Sequence, residues 1–98
     1  MSCPSNENEI FSKISNIMVE ALRVDPDKIR METRIILDLG AESIDIVDIR
    51  FRIEHAFGFK INQSDMMRSL GEGLSAEQIQ EKFTVGSVVD YIRKLLVK

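Results

Sequence analysis

The chain has 98 residues, with a formal net charge of −3, 44% hydrophobic residues and 30% charged residues. This length provides one small domain, and the acidic balance argues against nucleic acid as a partner, because phosphate binding requires a concentrated basic surface. A single cysteine and a single histidine exclude an internal disulfide and a structural zinc site.

The N-terminal segment, residues 1–6, lacks the apolar core of a signal peptide. We expect it to be disordered, with Cys3 as an exposed thiol. No apolar run in the chain approaches the roughly 20 residues that a membrane-spanning helix needs. We therefore expect one domain over residues 1–98 that is cytoplasmic, monomeric and without stable membrane insertion.

Apolar side chains at helical spacing predict a first helix over residues 7–23. Asn6 and Glu9 have the spacing of a capping box at its start, and Pro26 limits its end. The predicted buried face consists of Ile10, Ile14, Ile17, Met18, Ala21 and Leu22. Residues 24–42 then form a long connection with too many apolar side chains for a free linker, so we expect it to pack onto the helices.

A second helix is predicted over residues 43–57, ending at Gly58, which suits the position after a helix. Its apolar residues recur at steps of three and four and define one buried face. That face consists of Ile46, Ile49, Ile53 and Phe57. Val47 and Phe51 lie four residues apart on its flank.

The remainder of the chain predicts two short helices, over residues 64–70 and 75–83, and a last helix over residues 85–97 capped by Thr84. No segment alternates polar and apolar residues as a strand does. The expected fold is therefore all-α. It is a small four-helix bundle with an extended region and an extra short helix between the second and last helices.

A serine with an unusual setting, Ser43, lies at the predicted start of the second helix, directly after a glycine turn and among carboxylates. Backbone N–H groups at a helix N-terminus favour negative charge, so this serine suits the attachment of a phosphate-linked group. It is a poor catalytic nucleophile, because His55 lies about 18 Å further along the same helix. Plain N-capping by Ser43 is the structural alternative.

Residues 38–45, Asp-Leu-Gly-Ala-Glu-Ser-Ile-Asp, resemble the attachment motif D-L-G-x-D-S-L of acyl carrier proteins. Glu42 replaces the usual aspartate and Ile44 the usual leucine, and both changes are conservative. Residues 53–57 are similar to the end of the family's second helix, and residues 83–92 to its T-V-x-x-x-x-D-Y-I stretch. The resemblance spans about residues 8–97.

The resemblance implies a non-enzymatic carrier in which Ser43 is esterified by 4′-phosphopantetheine, whose thiol holds an acyl group as a thioester. A phosphopantetheinyl transferase and acyl-transferring or lipid-synthesis enzymes are the implied partners. The residues expected around the cofactor are Asp38, Gly40 and Glu42, with Gly40 permitting the tight turn. The residues expected to dock partner enzymes are Asp45, Val47, Asp48, Phe51 and Glu54. The residues expected to line an acyl pocket are Ile46, Ile49, Ile53, Phe57 and Ile61.

The second helix departs from the housekeeping fatty-acid carriers, in which it is mostly acidic. Arg50, Arg52 and His55 place positive charge on it, with Arg50 beside the buried face and the other two towards solvent. One interpretation is a different set of partner enzymes. The alternative is simple pairing along the helix, such as Asp48 with Arg52.

Residues 62–83 form a longer segment than in the standard family. Residues 57–61 and 71–77 resemble the carriers that deliver very long hydroxyacyl chains to lipid A. Four apolar residues of this segment either widen the acyl pocket or simply cover the core. They are Met66, Met67, Leu70 and Leu74.

Two other functions remain open from the residues alone. A peptidyl or aminoacyl carrier shares the serine and the arm, although the acidic surface weighs against a module excised from a synthetase. A cofactor-free helical interaction module would use the same amphipathic helices and would retain its function after Ser43→Ala. A helix-turn-helix DNA-binding protein is disfavoured by the acidic balance.

Overall fold

The computed structural model describes residues 7–96, and within them it contains five helices and no strand, which confirms the all-α prediction. The helices are α1 (Glu7–Leu22), α2 (Ser43–Phe57), α3 (Gln63–Arg68), α4 (Ala76–Lys82) and α5 (Val85–Leu96). The expectations for residues 1–6, including the Asn6 cap, and for the last residue of the final helix lie outside the described residues.

The predicted helix ends agree with the structure to within two residues. Helix α1 stops at Leu22 because Arg23 adopts a left-handed conformation with φ of 57°. Pro26 then begins a single 3₁₀ turn (Pro26–Lys28) that the sequence did not predict. Helix α3 begins one residue earlier than predicted, because the Asn62 side chain caps it by accepting a hydrogen bond from the Asp65 N–H at 3.2 Å.

The core forms where α1 packs against α2 and α5. The long connection contributes Ile29 and Ile35 to this core, so the prediction that it packs down is confirmed. The largest fully buried side chains are Ile10, Ile14, Met18, Ile35, Ile53, Phe83, Val85, Val88, Val89 and Ile92. None of the helices within residues 7–96 is long and apolar enough to cross a membrane.

The long connection also provides hydrogen-bond acceptors for the first N–H groups of α5. The first N–H groups of a helix have no partner inside it. Here the Val85 N–H donates to the Thr33 carbonyl at 2.9 Å, and the Gly86 N–H donates to the Met31 carbonyl at 2.7 Å. A Cβ atom on Gly86 would lie 2.8 Å from the Met31 carbonyl oxygen, so glycine permits this close approach. The expected Thr84 cap is present, because Thr84 Oγ1 accepts from the Ser87 N–H at 3.0 Å.

Candidate functional site

Ser43 is the first residue of α2 and is exposed to solvent. The cap position belongs to Glu42, so the alternative in which Ser43 caps the helix is wrong. The Glu42 N–H donates to the Asp45 carboxylate at 2.9 Å, which closes the helix start without the serine. Among residues 7–96 the Ser43 hydroxyl has no hydrogen-bond partner, so no general base contacts it.

The turn before Ser43 is closed by one side-chain pair. The Asp38 carboxylate accepts hydrogen bonds from the Arg34 backbone N–H at 2.8 Å, from Nε at 3.2 Å and from Nη2 at 3.0 Å. The Arg34 side chain, and then its backbone N–H, hold the pKa of the Asp38 carboxyl below its ordinary value. The hydrogen bond and charge of Asp38 raise the Arg34 pKa in return. Sequence reasoning expected Asp38 beside the cofactor but missed Arg34.

Gly40 completes the turn in a conformation that favours glycine, with φ of 74°. Its N–H donates to the Ile36 carbonyl at 3.1 Å, and the next residue, Ala41, donates to the Ile35 carbonyl at 3.2 Å. A Cβ atom on Gly40 would meet no atom within 4 Å. The space beside Gly40 is therefore open, and Ser43 three residues later is exposed, which fits a bulky phosphate-linked group at the start of α2.

Exposed apolar side chains mark the surface around this site. Ile44, directly after Ser43, is 74% exposed, and Phe51, two turns further along α2, is 55% exposed. The Arg50 guanidinium lies over the Phe51 ring, with its central carbon 4.6 Å from the ring centre. Val47, the other expected apolar contact, is half-buried.

The acidic residues expected on the docking surface differ in availability. Asp48 is exposed and pairs with Arg52 at 3.0 Å, which confirms the pairing alternative for these two residues. Arg52 also reaches Glu20 on α1 at 3.3 Å. His55 is exposed, as expected.

Glu54, which the sequence suggested as a docking contact, is held by hydrogen bonds within the fold. Its side chain is 13% exposed, and its Oε2 atom accepts from Arg50 Nη1 at 3.3 Å and from the Ile61 N–H at 2.7 Å. The carboxylate is therefore committed to contacts within the fold and offers little to a partner. The sequence signal that could have revealed this is the position of Glu54, four residues after Arg50 and beside the buried face of α2.

The residues expected to line an acyl pocket belong to one packed cluster. Ile46, Ile49, Ile53 and Ile61 are buried, and Phe57 is partly buried against them, with its ring stacked on Phe59 at 6.1 Å. Met66 is buried in the same cluster. Met67 and Leu70 pack partly buried against this cluster. Met67 and Leu74 also line an open surface groove of about 720 Å³ beside α3, so the four apolar residues of the longer segment do not share one environment.

Comparisons with known proteins match this arrangement. A family described as a phosphopantetheine attachment site matches residues 12–72. The chain is 38% identical over 92 residues to an acyl carrier protein of Thermotoga maritima, covering 94% of this chain and 98% of the relative. It is 34% identical over 86 residues to an acyl carrier protein of Campylobacter curvus and 36% identical over 86 residues to that of Campylobacter lari. Both matches cover 88% of this chain and 95% of the relative.

The helical fold and these matches together define a carrier protein rather than a catalytic enzyme. The chain belongs to the acyl carrier protein family. Its cofactor is 4′-phosphopantetheine, and the family implies that a phosphopantetheinyl transferase and acyl-processing enzymes interact with it.

Proposed function

We propose that Ser43 carries the 4′-phosphopantetheine arm and that the protein shuttles acyl groups between enzymes of a fatty-acid or specialised lipid pathway. The observation that supports this most directly is the exposed Ser43 hydroxyl, which has no hydrogen-bond partner within residues 7–96 and follows a braced turn. When bound, the arm supplies a thiol that holds an acyl group as a thioester.

In the attachment step this chain only has to expose Ser43, because the transferase supplies the catalysis. The Ser43 oxygen forms a bond to the phosphorus of coenzyme A that carries the pantetheine arm. The bond from this phosphorus to the bridging oxygen breaks, adenosine bisphosphate leaves with that oxygen, and the hydroxyl proton passes to the transferase. The product phosphodiester then lies at the N-terminal end of α2, where the helix dipole favours negative charge. Gly40 and Glu42 flank the approach, and Asp38 holds the turn through Arg34.

Partner enzymes dock, in this proposal, on the exposed part of α2 next to Ser43. Asp45, Asp48, Val47 and Phe51 contribute, with Glu42 at the helix start. Glu42 and Asp48 are exposed and Asp45 is half-buried. Carboxylates around an apolar contact suit fast and modest association with a basic partner surface, as a shuttle requires. Glu54 is left out of this surface, because its side chain is only 13% exposed and its carboxylate accepts from both Arg50 and the Ile61 N–H.

The acyl chain is proposed to enter between α2 and the segment after it, displacing contacts among Ile46, Ile49, Ile53, Phe57 and Ile61. The added helix α3 and its groove favour a specialised carrier for longer chains as a finer version of this function. Shortening residues 64–74 tests that version. An unchanged chain-length preference in the shortened protein would exclude a role of this segment in the pocket.

The proposal also includes a single domain over residues 1–98, a monomeric state and a cytoplasmic location. Mixed surface ion pairs such as Asp48–Arg52 and Asp65–Arg68 favour a solvated exterior. Light scattering coupled to size exclusion tests the monomer directly, and a dimer mass at micromolar concentration would contradict it.

Intact-protein mass spectrometry tests the attachment site. The apo protein is incubated with coenzyme A and a broad-specificity phosphopantetheinyl transferase, beside Ser43→Ala and the control Ser64→Ala, which alters another exposed serine in the first turn of a helix. We expect one phosphopantetheine mass on the parent and on Ser64→Ala, and none on Ser43→Ala. A gain on Ser43→Ala would place the arm elsewhere.

A further inference from the structure

Arg34 makes an unusually complete contact with the turn that precedes Ser43. Three of its donors reach the Asp38 carboxylate, and its own carbonyl accepts from the Asp38 N–H at 2.9 Å and the Leu39 N–H at 3.2 Å. Arg34 therefore closes the turn over residues 35–39 by bonding to Asp38 and Leu39 at its far end. This pairing is not helical, since residues 35–39 form a turn.

The other side of Arg34 is anchored to the body of the protein. Arg34 forms an isolated antiparallel bridge with Thr84, the cap residue of α5. The next residue, Ile35, is fully buried and donates its N–H to the Phe83 carbonyl at 3.0 Å. A displacement of the turn relative to α5 is therefore resisted at Arg34.

The turn itself has little else to hold it. Leu37, Asp38 and Gly40 are exposed, and the next buried side chain along the chain is Ala41, directly before the cap residue of α2. Ile36 packs partly buried against the core. Beyond it, within the part of the chain that the structure describes, backbone hydrogen bonds and the Arg34–Asp38 pair order the turn as far as Ala41. Exposed backbone bonds without core packing open readily, so the side-chain pair has a disproportionate influence on where Ser43 is presented.

We propose that Arg34 is a positioning residue for the modification of Ser43. It acts through Asp38, and its role is to keep the turn in the one arrangement that the transferase recognises. This inference rests on the proposed function of Ser43 and adds a residue that the attachment motif does not contain. Arg34 touches neither coenzyme A nor the reacting oxygen in this account.

Steady-state kinetics of modification, with the apo protein as the varied substrate, tests the inference. Only the fraction of molecules with an ordered turn binds productively, and apparent affinity falls with that fraction. We expect Arg34→Met to raise KM for the apo protein by about three- to tenfold with kcat little changed. Arg34→Lys retains one donor towards Asp38, and we expect it to recover part of the loss.

The matched control is Arg68→Met, which breaks another exposed arginine–aspartate pair, to Asp65 at 3.0 Å, far along the chain from the site. We expect the control to leave KM unchanged. Faster hydrogen exchange of the Leu39 and Gly40 amides in Arg34→Met, at an unchanged melting temperature, provides a readout that global destabilisation does not give. If Arg34→Met does not fold, Arg34→Lys and Asp38→Asn provide the same test.

Combining substitutions of Arg34 and Asp38 distinguishes a positioning role of Arg34 from direct contact of Arg34 with the transferase. Because Arg34 acts through Asp38, the double variant Arg34→Met/Asp38→Asn should be no slower than the slower single variant. The inference would be overturned if the effects of the two single variants multiplied in the double variant, or if the KM for Arg34→Met equalled that of the parent. Neither result would affect the assignment of the attachment site. A parent protein that gains no mass would overturn both.

Discussion

The backbone N–H of Ile61 donates a 2.7 Å hydrogen bond to the carboxylate of Glu54, seven residues earlier on α2. Arg50 completes the link, because its Nη1 atom donates both to Glu54 at 3.3 Å and to the Ile61 carbonyl at 3.2 Å. The end of α2 is thus tied to the connection that leads to α3. This link joins the two segments between which an acyl chain is proposed to enter.

Replacing Glu54 should therefore reduce stability. Glu54→Ala leaves the Arg50 charge and the Ile61 N–H without their shared acceptor, and we expect a loss of about 1–3 kcal/mol in the free energy of unfolding. Glu54→Gln retains an acceptor for the Ile61 N–H and should lose less. Urea denaturation followed by circular dichroism measures both variants.

The control for this prediction is Glu77→Ala, which removes an exposed carboxylate from α4. Surface substitutions of this kind change stability by about 0.5 kcal/mol or less. If Glu54→Ala behaved like Glu77→Ala but slowed modification of Ser43, Glu54 would be a docking residue after all.

Gly86→Ala should destabilise the protein although alanine is the better helix former. The helix preference favours alanine by up to about 1 kcal/mol, but the added Cβ atom would lie 2.8 Å from the Met31 carbonyl oxygen. Overpacking against backbone typically costs about 1–3 kcal/mol. We expect a lower thermal midpoint than that of the parent, and a midpoint equal to or above it would show that the connection moves away freely.

Stability in acid should depend on Asp90. Hydrogen bonds from Arg93, and then Lys94, lower the pKa of the Asp90 carboxyl below its ordinary 3.8. The stabilisation is therefore present above about pH 3.8 and is lost as the pH falls through the lower value in the folded protein. Asp90→Asn should flatten this part of the stability profile, as should the double variant Arg93→Met/Lys94→Met. A parental profile in either variant would contradict the prediction.

Stability in alkali should depend on Tyr91. Burial, and then the nearby charge of Asp65, raise the pKa of the Tyr91 hydroxyl above its ordinary 10. Above pH 10 the unfolded chain releases this proton before the folded protein does, so stability falls as the pH rises through the folded pKa. Tyr91→Phe removes the group, and its unfolding free energy should decline less between pH 9 and pH 11 (roughly one unit either side of the ordinary value). An identical decline in both proteins would contradict the stated cause.

Helix α2 illustrates what the sequence can reveal. Its buried face follows from the spacing of Ile46, Ile49 and Ile53, and its end from Gly58, which has φ of 80°. Both are local features, so no knowledge of distant residues is required. The fold class, the cofactor and the family followed from equally local patterns.

The misjudged residues depend on contacts that sequence spacing does not reveal. Arg34 lies in a turn whose position is set by Thr84, fifty residues later, and its partnership with Asp38 occurs outside any helix. Glu54 resembles a surface acid, but its location is decided by the chain reversal that brings Ile61 alongside. Capping by Ser43, the alternative to attachment, fails because the helix begins one residue earlier than that alternative requires, with Glu42 at the cap position.

The hydrogen bonds from Ile35, Val85 and Gly86 that join the connection to the start of α5 have a consequence for the order of events during synthesis. Residues 83–86 leave the ribosome some forty residues after Ser43, and until they do, the carbonyls of Met31 and Thr33 have nothing to bind. The turn before Ser43 therefore reaches its final arrangement only after the C-terminal helix has docked. A transferase that requires this turn would load finished molecules and pass over nascent or truncated chains.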